Sequence, residues 1–296
     1  MGKASRRKQA GQQERGQDRG RGPAAYASRP FAGMPGETDW VAMKEILPAA
    51  TVTLPLAAGV APESGPDAVT VATVLPMAWP AIRRSDGAVL IGTQSGSGSG
   101  DASRDLASAL LAALDAAPGT PLPRVPLATD ATPPLADLVD TSQAPQVDVH
   151  EGFDFWVEGQ DLDGEAQQSL ERANASVVPT TKMTSAPSAY WCLLAGRAHL
   201  RLVLPDDEDT ATDALARLHA AGSDTLGHGT RLLGAFRACG LLVPVWQLVG
   251  DTPAADYEDA LAAFTERYAA ARSDAVLTPD ERRAKNGLLG RQVTLR

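Results

Sequence analysis

The chain has 296 residues, 44% of them hydrophobic but only 5% aromatic, enough for one large or two ordinary domains with alanine-rich cores. Its formal net charge of −9 is unevenly placed, because residues 1–22 hold Lys3, Arg6, Arg7, Lys8, Arg15, Arg19 and Arg21 against only Glu14 and Asp18. The longest strongly apolar run, Leu241–Val249, is far too short for a membrane span, and the first thirty residues hold no apolar core of a secretory signal. A soluble, cytoplasmic protein without membrane contact is therefore expected. Cys192 and Cys239 stand far apart, with no C-x-x-C pair, and read as buried reduced thiols rather than a zinc, redox or disulfide pattern.

Residues 1–25 are rich in Gln, Arg, Gly and Lys and lack apolar periodicity, so they read as a disordered basic tail. Lys3, Arg6, Arg7 and Lys8 are its polyanion contacts; with no aromatic side chain to stack on bases, any nucleic-acid binding should be weak, non-specific and salt-sensitive. Thr38 or Asp39 is placed to cap a short helix over Trp40–Leu47. Strands are expected at Thr51–Leu56, Val69–Leu75 and Ala88–Thr93, and a helix at Ser103–Ala116 with Leu106, Leu110, Leu111 and Leu114 on one side. Residues 118–145 contain seven prolines and read as a long connection, with one helical turn at Leu135–Val139.

Gln146–Val157 reads as a hairpin about Glu151-Gly152, followed by a helix over Gly164–Ala175 and a strand over Val177–Met183. A second hairpin joins Tyr190–Leu194 to His199–Leu204 through Ala195-Gly196-Arg197, and a helix follows. A third joins Arg231–Phe236 to Leu241–Val249, and Pro253–Ala271 reads as a helix. Thr278-Pro279-Asp280-Glu281 carries an N-cap, a first-turn proline and a carboxylate three residues on, predicting a last helix that Gly287 ends.

The expected elements fall twice into the order α-βββ-α-ββ-α, and the helix ends Leu110–Thr120 and Leu215–Thr225 are alike. This layout predicts an α+β protein of two related modules, each an antiparallel sheet with packed helices, over residues 26–160 and 161–296. The run Ser95–Gly100 (SGSGSG) then reads as inserted loop length. It lacks the Lys-Ser/Thr of a P-loop and the G-x-G-x-x-G spacing, and Asp101 and Asp105 would repel a phosphate.

The carboxylates Asp206–Asp209 lack the D-x-D-x-D-G spacing of a calcium loop and read as a helix start. In the 146–158 hairpin, strand alternation puts Asp148, His150, Asp154, Trp156 and Glu158 on one side, a contact surface, an acid/base pair or a metal site. His199, His219 and His228 have no ligand spacing, and G-x-S-x-G does not occur.

The strings RPFAGMPGETDWVAMKEILPAATV (29–52), VATVLPMAWPA (71–81), GFDFWVEG (152–159), ERANASVVPT (171–180), AYWC (189–192) and GLLGRQVTLR (287–296) resemble an uncharacterised family of high-GC actinobacterial proteins, a domain of unknown function. That resemblance implies no activity and no catalytic residues. The element order is also similar to that of type III secretion chaperone-like and YbjN-like modules, which implies a curved sheet that binds proteins or pairs modules. The expected function is a non-enzymatic cytoplasmic adaptor with a protein partner and no cofactor or metal. The alternatives are an enzyme with Asp148, His150, Asp154 and Glu158 between the modules, or a nucleic-acid-associated protein acting through its tail.

Overall fold

The computed structural model describes residues 22–96, 98–157 and 161–289. Its helices and two mostly antiparallel sheets make an α+β protein. The chain forms two compact units, Met1–Pro30 with Val52–Ala144, and Phe31–Thr51 with Pro145–Arg296. The units are thus not contiguous halves meeting near residue 160, since the first expected helix belongs to the second unit.

In the first unit, β1 (Ala50–Pro55), β2 (Ala68–Ala72), β3 (Ala81–Arg83), β4 (Val89–Gly92) and β5 (Thr120–Leu122) lie in the order β5-β3-β4-β2-β1. β2 and β4 run parallel, which the expected antiparallel module did not include. The reason is β3, a strand too short to read from its sequence; it turns back on β4 and leaves β2 and β4 pointing the same way. Helix α1, counted first in the chain, is Glu37–Glu45, and α2 is Ala102–Asp115. α2 packs on β3 and β4 through Leu106, Leu110 and Ala113, and Asp101 caps it by accepting from the Ser103 and Arg104 amides.

The Gly-Ser run is anchored by its own chain. Asp105 accepts from the Ser99 amide, and a Cβ on Gly98 would stand 2.8 Å from the Asp105 carboxylate. Gly100 is held between the Ala24 carbonyl and the Ala27 amide, and a Cβ there would lie 2.7 Å from the Tyr26 backbone. Ala24 and Ala25 bond onward to Ala128 and Asp130, so residues 24–27 form a strap across two loops of the first unit. The amides that could have cradled a phosphate face the chain's own carboxylate and carbonyl groups.

In the second unit, Ala50 and Thr51 at the start of β1 pair with β6 (Asp148–Val149). Helix α3 (Gly164–Asn174) leads to β7 (Thr180–Lys182), β8 (Ala189–Leu194) and β9 (Arg197–Leu202). Then come α4 (Glu208–Ala220), β10 (Arg231–Ala238), β11 (Leu241–Gln247), α5 (Glu258–Ala271) and α6 (Pro279–Leu289). The sheet order is β10-β11-β9-β8-β7, antiparallel throughout. Both long hairpins close on two residues with positive φ, Ala195-Gly196 and Cys239-Gly240, the geometry whose twist matches paired strands.

One face of this sheet, with Ala189, Ala198, Leu200, Leu202 and Trp246, shares a core with Leu215, Leu261, Phe264 and Tyr268 of α4 and α5. The predicted capping box forms: the Thr278 amide donates to Glu281 and the Glu281 amide to the Thr278 hydroxyl. Gly287 does not end α6, which runs on to Leu289.

Candidate functional site

The segment 147–157 departs most from its sequence reading. Only Asp148 and Val149 are strand; the chain then turns through Gly152 into a single 3-10 turn, Asp154–Trp156. Asn174, the last residue of α3, explains the change. Its Oδ1 accepts from the Phe153 amide at 2.7 Å and its Nδ2 donates to Asp154 at 3.2 Å. Gly152 allows the approach, since a Cβ there would lie 2.7 Å from the Asn174 side chain. The expected hairpin is therefore replaced by a pinned turn, and the strand alternation behind the proposed polar face does not hold.

The turn gathers rings instead. Phe153 stacks on Trp156 with centroids 4.4 Å apart, Phe155 meets Trp156 edge-on at 6.3 Å, and His150 lies 5.0 Å from Phe155. Phe153 is buried, while His150, Phe155 and Trp156 each keep part of their surface in solvent. His150 is oriented from behind by the Thr51 hydroxyl, 2.7 Å from Nε2. Asp148, Glu151 and Asp154 stand exposed around these rings. Among the described residues none of the three carboxylates pairs with Lys or Arg, and the sequence holds neither residue type from Val125 to Glu171.

Of the residues singled out in the sequence, His150 and Trp156 are thus brought together through Phe153 and Phe155, with Asp148 and Asp154 at the margin. Asp154 is bonded to Asn174, and His150 to Thr51. Glu158 and the tail residues Lys3, Arg6, Arg7 and Lys8 lie outside the described residues.

A denser polar cluster was missed. Asp39 does not cap α1; Gly36 holds that position with φ 67°, and no side chain caps the helix there. The Asp39 carboxylate instead accepts from Ser188 Oγ at 2.9 Å and Tyr190 OH at 3.2 Å, with Lys182 Nζ at 3.6 Å. Thr38 Oγ1 completes the chain, 2.7 Å from Ser188 Oγ. Ser188 and Tyr190 are fully buried, and burial first, then the Asp39 charge, pushes the Tyr190 phenol well above its ordinary range. A neutral phenol and a sequestered serine fasten α1 to the sheet; no reacting group could reach them. An Asp two residues into an apolar helix was the available signal, but it reads equally well as a cap.

Cys192 and His199 oppose each other on β8 and β9, the obvious nucleophile–base candidate. Burial pushes the thiol up, with Arg201 only partly offsetting it, and burial also lowers His199, whose Nδ1 donates to the Arg197 carbonyl. Both shifts favour neutral partners, the reverse of a thiolate–imidazolium pair.

The acidic quartet starts α4, as its sequence reads. Asp207 accepts from the Asp209 and Thr210 amides, Asp206 takes Tyr268 OH and Arg272, and Glu208 pairs with Arg237.

Residues 30–296 match the family described as "Family of unknown function (DUF5926)", and the chain belongs to that family. No curated protein and no solved structure matches the chain. Among the described residues, no helix is long and apolar enough to cross a membrane.

Proposed function

We propose that this is a non-enzymatic, cytoplasmic protein-binding protein whose contact surface is the aromatic turn His150–Trp156 with its exposed carboxylates. The observation that carries this reading is the conjunction at that turn: Phe155 and Trp156 part-exposed beside exposed carboxylates, with the Phe153 amide bonded to Asn174 and the His150 ring to Thr51. Rigid aromatic side chains supply contact area at small entropic cost, which is why they dominate interface energetics. The order of the second unit, α3, three strands, α4, two strands and α5, supports the likeness to secretion chaperone-like and YbjN-like modules. The shared capping of α2 and α4, where Asp101 and Asp207 each accept from the amides two and three residues on, supports an ancestral duplication.

Placing a photo-crosslinking residue at Phe155 in the full chain, and separately at exposed Val276, tests the contact surface in native cytoplasm. A discrete adduct from position 155 alone is expected. Identical adducts from both positions, or none from 155, would refute the assignment.

A further inference from the structure

We infer that Arg83 anchors a binding site for a small monocarboxylate in the first unit. Arg83 ends β3 and is only 8% exposed, yet its buried Nε and Nη1 meet no acceptor among the described residues. Its strand neighbours offer no counter-charge, since the register sets Val89 of β4 on one side and Thr120 of β5 on the other. The next residue shows the contrast. Arg84 has Asp86, which binds its guanidinium and also accepts from the Ala88 amide. Burying a guanidinium without an acceptor is costly, because hydration is lost and nothing replaces it. Arg83 cannot escape that cost by losing its proton, so an anion is what neutralises it. The guanidinium also selects the kind of anion. Its two donor forks, Nε with Nη2 and Nη1 with Nη2, share Nη2, the one nitrogen that is not both buried and unpartnered. An oxyanion that meets Nη2 from the surface therefore reaches a covered nitrogen with its second oxygen, whichever fork it takes. A halide cannot bridge a fork in this way. One guanidinium balances one negative charge, whereas a phosphate, largely dianionic at neutral pH, would bring an uncompensated charge into the site. The narrow exposure suits the end of a small molecule, a carboxylate on a slim chain, better than a folded surface.

The probe is sodium acetate, titrated into the nitrogen-15-labelled full chain against sodium chloride at equal ionic strength, with inorganic phosphate as a third arm. The signal is the Arg83 Nε–Hε cross-peak, assigned by its loss in Arg83→Lys. Acetate should move it saturably, with half-saturation at about 1–10 mM, and phosphate should need about tenfold more. Acetate should also raise the thermal unfolding midpoint of the parent above its value in chloride, and leave that of Arg83→Met unchanged. A cross-peak that acetate and chloride move alike, or an equal midpoint gain in parent and Arg83→Met, overturns the inference. Tighter binding of phosphate than of acetate overturns the assignment to a monocarboxylate. Should Arg83→Met fail to fold, the cross-peak titration of the parent decides alone.

Discussion

Asp39→Ala removes the one carboxylate on which Ser188, Tyr190 and Lys182 converge. A hydrogen bond to a charged acceptor contributes about 1.5–3 kcal/mol, and a buried donor left without an acceptor forfeits its solvation as well. Ser188 and Tyr190 are both fully buried, so neither recovers a water. The Lys182 contact adds little, because its side chain is 32% exposed. Tyr190 OH is left without Asp39 while Ser188 keeps Thr38 Oγ1 at 2.7 Å, so Asp39→Ala should destabilise the second unit by about 2–4 kcal/mol. Asp39→Asn keeps one acceptor oxygen and should lose about half of that. Tyr190→Phe removes donor and bond together and should cost about 1–2 kcal/mol.

Urea unfolding followed by tryptophan fluorescence is the assay, since four of the five tryptophans (Trp40, Trp156, Trp191 and Trp246) belong to the second unit. An Asp39→Ala loss below about 1 kcal/mol, or a Tyr190→Phe loss exceeding it, would refute the account of Asp39 as the shared acceptor.

Arg83 is 8% exposed and its Nε and Nη1 meet no acceptor among the described residues, so Arg83→Met should stabilise the first unit by about 1–3 kcal/mol in thermal unfolding; a loss would show that the guanidinium is needed. Met77 is 84% exposed with φ 56°, and Ala78 follows with φ 52°, so Met77→Gly should raise the unfolding temperature of the same unit, relieving about 1–2 kcal/mol of strain against a smaller entropic cost. A lowered temperature would mean the turn is not strained. Glu258 is pushed up by burial, but bonds from Ser185 and Thr184 outweigh this and leave its pKa lowered. Its contribution is therefore full above the ordinary glutamate value and lost as pH falls through the lowered one. Glu258→Gln should be less stable than the parent at neutral pH, with the gap closing on acidification; a gap constant with pH would count against the assignment.

Elements with strong periodicity were legible: the two two-residue hairpins and α2 lie within a residue or two of their expected places, and a helix, α4, follows the acidic quartet as expected. What was lost was short or depended on distant partners. β3 has three residues, and the Arg84–Ala88 turn that folds it onto β4 is fixed by Asp86, which accepts from the Ala88 amide at 2.9 Å. β5 includes Pro121, which an edge strand tolerates but a reader of proline-rich sequence passes over. The 146–157 hairpin failed because Asn174, over twenty positions away, competes for the Phe153 amide. Alternation describes a ladder; it cannot register a side chain that takes one of the ladder's donors.

The same competition separates the aromatic turn from the other acidic segments of the chain. Asp105, Asp130, Asp140 and Asp163 each accept a backbone amide of their own unit, and Asp213 and Asp224 pair with Lys285 and His219. An exposed carboxylate without a partner is ordinary on a surface and specifies nothing alone. At 148–156 two such groups stand beside Phe155 and Trp156, which are only part-buried, on a turn whose Phe153 amide is bonded to Asn174. A turn free to fold its rings inward would do so for the hydrophobic gain of burying them. Holding Phe155 and Trp156 part-exposed is thus a consequence of the Asn174 tether. Asn174→Ala should let the rings collapse or the turn fray, lowering the yield of the adduct from position 155 even though residue 174 carries no charge.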